Sequence, residues 1–188
     1  MDNGYRIMDF SQWTIDNRQW TKNIVYFLFS IFYCLTIASC KTKTTAPCKY
    51  GAPTAIFNDS MQGVKKHFFQ VKDGTGVEMV ALKDHYLLEI EQSGCDEIQQ
   101  QFSFVMHGKF MDAPDSFWVQ LAVKQFRDMA KMSPKLQPFN AWADAIEATK
   151  TQLKLSEPTE IQPKYLCRID KVVSPEQATL VILLSEKK

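Results

Sequence analysis

The chain has 188 residues, room for one ordinary domain or two small ones. Apolar residues make up 45% and charged residues 23%, which excludes a disordered or low-complexity polypeptide. Lys plus Arg number 22 against 21 Asp plus Glu, so the net charge of +1 offers no electrostatic case for nucleic-acid binding.

From Ile24 to Ser39 the chain carries no charge. As a helix this run spans roughly 24 Å, short of the roughly 30 Å of a bilayer core. It fits the apolar region of a signal peptide, with Arg18 and Lys22 as its positive flank. The preceding stretch is long for such a leader, and Met8 offers a second start. The run closes on Leu35-Thr36-Ile37-Ala38-Ser39-Cys40, with an aliphatic residue three before the cysteine and two small residues next to it.

This hexad resembles the lipobox of bacterial lipoproteins, and the resemblance is confined to the leader. It implies that the Cys40 thiol receives a diacylglyceryl group and that a dedicated peptidase cuts just before it. The acyl chains would then anchor the protein to a membrane. Two alternatives stand beside it. One is an uncleaved single-pass anchor over Asn23–Cys40, reaching roughly 27 Å; the other is a plain secretory signal cut elsewhere. Flanking charge does not choose, because Arg6, Arg18 and Lys22 precede the run while Lys41, Lys43 and Lys49 follow it. All three readings place the rest of the chain outside the cytoplasm. The expected location is the cell envelope, on the periplasmic face of a membrane, and Lys rather than Asp at position 41 favours the outer membrane.

The expected organisation is a signal peptide over 1–39, a flexible tether over 40–55 and a single α+β domain over 56–188. The tether opens Cys40-Lys41-Thr42-Lys43, polar enough to stay solvated and basic enough to sit near anionic headgroups. Of five cysteines, Cys34 leaves with the leader and Cys40 is acylated; Cys48, Cys95 and Cys167 remain. In an oxidising compartment the expected disulfide joins Cys95 to Cys167, both in or beside predicted strands, and buried free thiols are the alternative. There is no Cys-x-x-Cys, and His67, His85 and His107 fall on separate strands, so no metal centre is expected.

Val64–Val71 and Val77–Leu82 flank Lys72-Asp73-Gly74-Thr75-Gly76 and read as a hairpin. Lys65, Lys66 and His67 mark its first strand as a solvated edge. In the next pair, Tyr86, Leu88 and Ile90 must share a face with Ile98, Phe102, Phe104 and Met106. The expected register sets Ile90 opposite Ile98 and Tyr86 opposite Phe102, around a Ser93-Gly94-Cys95 loop. The other face then collects His85, Glu89 and Glu91 with Glu97, Gln99, Gln101 and Ser103. Paired carboxylates beside a histidine can perform acid–base chemistry, but the same residues make an ordinary wet sheet face.

A helix follows Pro114, with Trp118, Leu121, Ala122, Phe126 and Met129 on its apolar stripe, and Ser133-Pro134 ends it. A second opens near Pro138 and buries Phe139, Trp142, Ile146, Thr149 and Leu153; the short link makes the two antiparallel neighbours. Tyr165–Asp170 alternates as a strand, and the continuous apolar run Ala178–Leu184 reads as an interior strand covered on both faces. The fold class is therefore α+β: an antiparallel sheet of about four to six strands with a two-helix hairpin packed on one face.

No Gly-x-Ser-x-Gly, His-Glu-x-x-His, Walker or Gly-x-Gly-x-x-Gly pattern occurs, and nothing calls for a catalytic centre or cofactor. The favoured reading is a lipid-anchored envelope module that binds an envelope protein, glycan or small ligand without catalysis. A small hydrolase is the alternative, using the His85/Glu89/Glu91 face or His107 with Asp112. A structural subunit of an envelope complex, with a large exposed apolar patch, is a third.

Overall fold

The structure, a computed structural model, describes residues 51–83, 86–93 and 98–187. Four strands, β1 (Val64–Lys72), β2 (Thr75–Leu82), β3 (Leu87–Ser93) and β4 (Gln99–His107), precede the helices α1 (Asp115–Met132) and α2 (Phe139–Thr149). Three more follow: β5 (Thr159–Gln162), β6 (Tyr165–Val173) and β7 (Gln177–Glu186). All join one antiparallel sheet in the order β1-β2-β3-β4-β7-β6-β5. The fold is α+β as expected, with seven strands rather than four to six. The additional edge strand, β5, is four residues long and too short to carry a clear alternation.

Local chemistry explains the hairpins. Lys72 opposes Thr75 across the two-residue turn Asp73–Gly74, whose φ values of 51° and 80° are both left-handed. Such a turn matches the right-handed twist of its flanking strands, and Gly74 adopts it without a side-chain penalty. In the β3–β4 pair the buried set is the expected one: Leu88, Ile90, Phe102, Phe104 and Met106. The register, however, differs from expectation. Ile90 opposes Phe102 and Leu88 opposes Phe104, with Ser93 opposite Gln99, so residues 94–98 make the connection instead of Ser93–Cys95. The Ile98 carbonyl pairs elsewhere, accepting from the Glu186 amide at 3.0 Å. Burial dictates only parity, and the slip of four residues keeps every side chain on its face.

Strand β7 lies between β4 and β6 and buries Ala178, Leu180, Ile182 and Leu184 on the helix side. Its other side chains, Thr179, Val181 and Leu183, are only half-buried on a face that no helix among the described residues covers. The apolar run thus marks an interior strand, but not one covered twice. Helix α1 buries Trp118, Ala122, Phe126 and Met129 against the sheet, and α2 buries Ala143 and Ile146. Phe102 meets Phe126 edge-on at 5.2 Å and Phe139 at 5.6 Å, which ties both helices to the sheet centre. The second helix ends at Thr149, earlier than expected, and Leu153 is buried from the turn beyond it.

The segment from Pro53 to Met61 is packed onto this layer. A Cβ added at Gly76 would come within 2.6 Å of the Pro53 Cβ, so the strap crosses where β2 has no side chain. Phe57 is fully buried. The domain's contacts therefore begin inside the segment read from sequence as tether.

Candidate functional site

The end of β2, Tyr86 and α1 border a cleft of about 250 Å³ whose wall includes Leu82, Lys83, Gln125, Asp128 and Met132. Backbone hydrogen bonds shape the sheet side. The Leu82 amide donates to the Tyr86 carbonyl at 2.9 Å, and the Lys83 amide donates to the Gly63 carbonyl at 2.9 Å. Gly63 has φ of +89°, and a Cβ there would lie 3.3 Å from the Met132 Cε, so glycine serves both backbone and space.

On the helix side, Lys124, Gln125, Asp128 and Met132 recur at spacings that turn one face toward the sheet. Lys124 Nζ donates to Asp128 Oδ2 at 2.6 Å, and Lys131 Nζ donates to Oδ1 at 3.0 Å. Burial pushes the Asp128 carboxyl up, but the two lysine hydrogen bonds and charges outweigh it and hold the group below its ordinary range. The hydrogen bond to Asp128 holds the Lys124 ammonium above its usual value. Gln125 stands apart. It is 7% exposed, and among the described residues its carboxamide makes no hydrogen bond. The residue is buried as a whole, but its side chain borders the cleft and is not among the buried polar atoms left without a partner.

The expected polar face is distributed differently. Glu89 and Glu91 lie on the uncovered sheet face, opposite Ser103 and Gln101 on β4 and opposite Met79 and Val77 on β2. Glu89 is half-buried and Glu91 exposed; His85 lies outside the described residues. His107 sits exposed at the end of β4 opposite Gln177, and no hydrogen bond joins it to Asp112. Cys40 and Cys95 also lie outside the described residues. Cys167 is a buried free thiol on β6, and burial pushes it up to about 12. Among the described residues, no three His, Cys, Asp or Glu side chains gather as a metal site would need.

Sequence reasoning missed two buried polar groups. Gln125 falls between Ala122 and Met129 on the apolar stripe of α1, and a carboxamide at such a position was a legible signal. Glu78, fully buried on β2, accepts from the amides of Ile56 at 2.9 Å and Phe57 at 2.7 Å and from His67 Nε2 at 2.7 Å. His67 is thus tucked inward from the edge strand, correcting its reading as solvated; Lys65 and Lys66 are exposed as expected.

A second groove, of about 600 Å³, runs past Phe110, Met111, Phe117 and Pro175. Phe110 and Phe117 pack on Trp118 at 5.9 Å and 5.4 Å, and the buried Trp118 Nε1 has no hydrogen-bond partner. No protein-family model matches the chain, and no curated protein or solved structure is significantly similar to it.

Proposed function

We propose that this protein is a lipid-anchored module of the bacterial cell envelope that binds a ligand rather than transforming one. The lipobox-like hexad ending at Cys40 supports the anchor. The observation that carries the binding half is the cleft bordered by Leu82, Tyr86, Gln125 and Met132. Binding sites are mostly apolar walls with a few convergent polar groups, and Leu82 and Met132 beside Tyr86, Lys83 and Gln125 fit that description. No described helix is long and apolar enough to cross a membrane.

Intact mass of the protein purified from membranes tests the anchor. A chain beginning at Cys40 and carrying diacylglyceryl mass is expected; a leader still joined to an unmodified Cys40 thiol refutes the lipoprotein reading. The mass gained on reduction counts the bridges among Cys48, Cys95 and Cys167, and a peptide map of the unreduced protein shows whether one joins Cys95 to Cys167. A Cys40→Ser variant, once its leader is shown to be removed, is expected in the soluble fraction.

A further inference from the structure

We propose that the strap over Pro53–Met61 is a proton-operated latch, closed while Glu78 is ionised and opened by acid once Glu78 and His67 both carry a proton. This goes beyond the binding-module reading and depends neither on it nor on how the chain is anchored. The Glu78 side chain is fully buried, and its donors come from two other segments. From the strap, the Ile56 amide donates to Oε2 at 2.9 Å and the Phe57 amide to Oε1 at 2.7 Å. From β1, His67 Nε2 lies 2.7 Å from Oε1, with 13% of its side chain exposed.

Counting hydrogens shows which step opens the latch. Beside an ionised Glu78, a neutral His67 donates from Nε2–H, and a protonated His67 donates from the same atom. The first proton therefore leaves all three hydrogen bonds in place. A second proton adds an O–H to a carboxyl surrounded only by donors, two amides and an imidazolium. The new hydrogen finds no acceptor and blocks one of the three, so a strap amide loses its bond inside the protein. Among the described residues, no other charged group pairs with Glu78 or His67. Phe69 on β1 and Ile90 on β3 stand opposite Glu78, and Gly76 and Val80 flank it on β2. Lys65 on β1, Asp59 on the strap and Lys135 beyond α1 are exposed. Two further bonds hold the strap, Gln92 Nε2 to the Thr54 carbonyl at 3.0 Å and Lys135 Nζ to the Ala55 carbonyl at 3.1 Å, and acid removes neither donor. Opening bares Phe57, which is otherwise fully buried.

The test is amide hydrogen exchange by NMR on the full chain in detergent micelles, across a pH series and corrected for the chemical exchange rate at each pH. As pH falls, the Ile56 and Phe57 amides are expected to lose roughly tenfold or more of their protection while the core amides of Phe104 and Ile182 keep theirs. Glu78→Gln, which carries a donor at all pH values, should leave the strap amides weakly protected at neutral pH and insensitive to acid. His67→Gln should stay closed over the range that opens the parent, because its carboxamide donates to a carboxylate and, turned over, accepts from a protonated carboxyl. Strap protection that does not change with pH, or that falls only together with the core amides, overturns the latch. A His67→Gln protein that opens as the parent does overturns the donor conflict and with it the proposal. Should Glu78→Gln fail to fold, the parent and His67→Gln profiles decide.

Discussion

Glu78 Oε1 lies 2.7 Å from His67 Nε2, and the same carboxylate accepts the backbone amides of Ile56 and Phe57. Three donors thus converge on one carboxylate with no solvent exposure, joining edge strand β1, its neighbour β2 and the strap ahead of them. Removing the carboxylate would strand all three. Glu78→Ala is expected to cost about 3–5 kcal/mol, and Glu78→Gln about 1–3 kcal/mol because one acceptor oxygen remains. Urea unfolding of the two variants checks the order. A Glu78→Ala protein as stable as the parent would mean the strap is not held there.

Sheet parity makes a second prediction. Leu88 is fully buried while its neighbour Glu89 is half-buried on the opposite face. Leu88→Asp puts an unpaired charge in the core and should abolish folding; Glu89→Ala should change stability by under about 0.5 kcal/mol. Circular dichroism of both variants suffices, and the reverse outcome would exchange the two faces.

Cys167 provides a pH dependence. With any bridge reduced, its thiol ionises near 9.0 when unfolded and near about 12 when folded. Between those values the native state holds a proton that the unfolded state has lost. Stability is therefore fully present below pH 9 and falls as pH rises toward 12. Cys167→Ala should remove that part of the slope. In the native protein at pH 8, about one thiol in 10⁴ would be ionised, so disulfide reagents should modify Cys167 far more slowly than after unfolding.

Trp118 sets two magnitudes against each other. Its buried Nε1 lacks a hydrogen-bond partner, at a cost of about 1–3 kcal/mol. Trp118→Phe removes that cost but leaves a cavity of a few tens of Å³, worth on the order of 1 kcal/mol. The net change should stay within about 1 kcal/mol, whereas Trp118→Ala should lose about 3–5 kcal/mol. Thermal unfolding separates the two; a large loss in the phenylalanine variant would mean the indole N–H is satisfied in solution.

The alternation in β3 and β4 was enough to name the buried residues, because a strand turns successive side chains to opposite faces. The stripe Trp118, Ala122, Phe126 and Met129 likewise announced α1 and its buried side. These are local periodicities, legible one segment at a time. Gln125 lay inside that stripe, yet the cleft it borders depends on Leu82 and Tyr86, which come from a distant part of the chain.

What the chain's own order of residues determined is the α+β class, the strand and helix faces and a hairpin turning within Lys72–Gly76. Tertiary structure alone decided that β7 docks on β4, that β3 pairs with β4 four residues from the expected register, and that His67 turns inward to Glu78. The physical reason is separation along the chain. Burial pattern and turn geometry act over a few residues, whereas long-range pairing and the satisfaction of buried polar groups are settled only when segments tens of residues apart compete for the same space and the same donors.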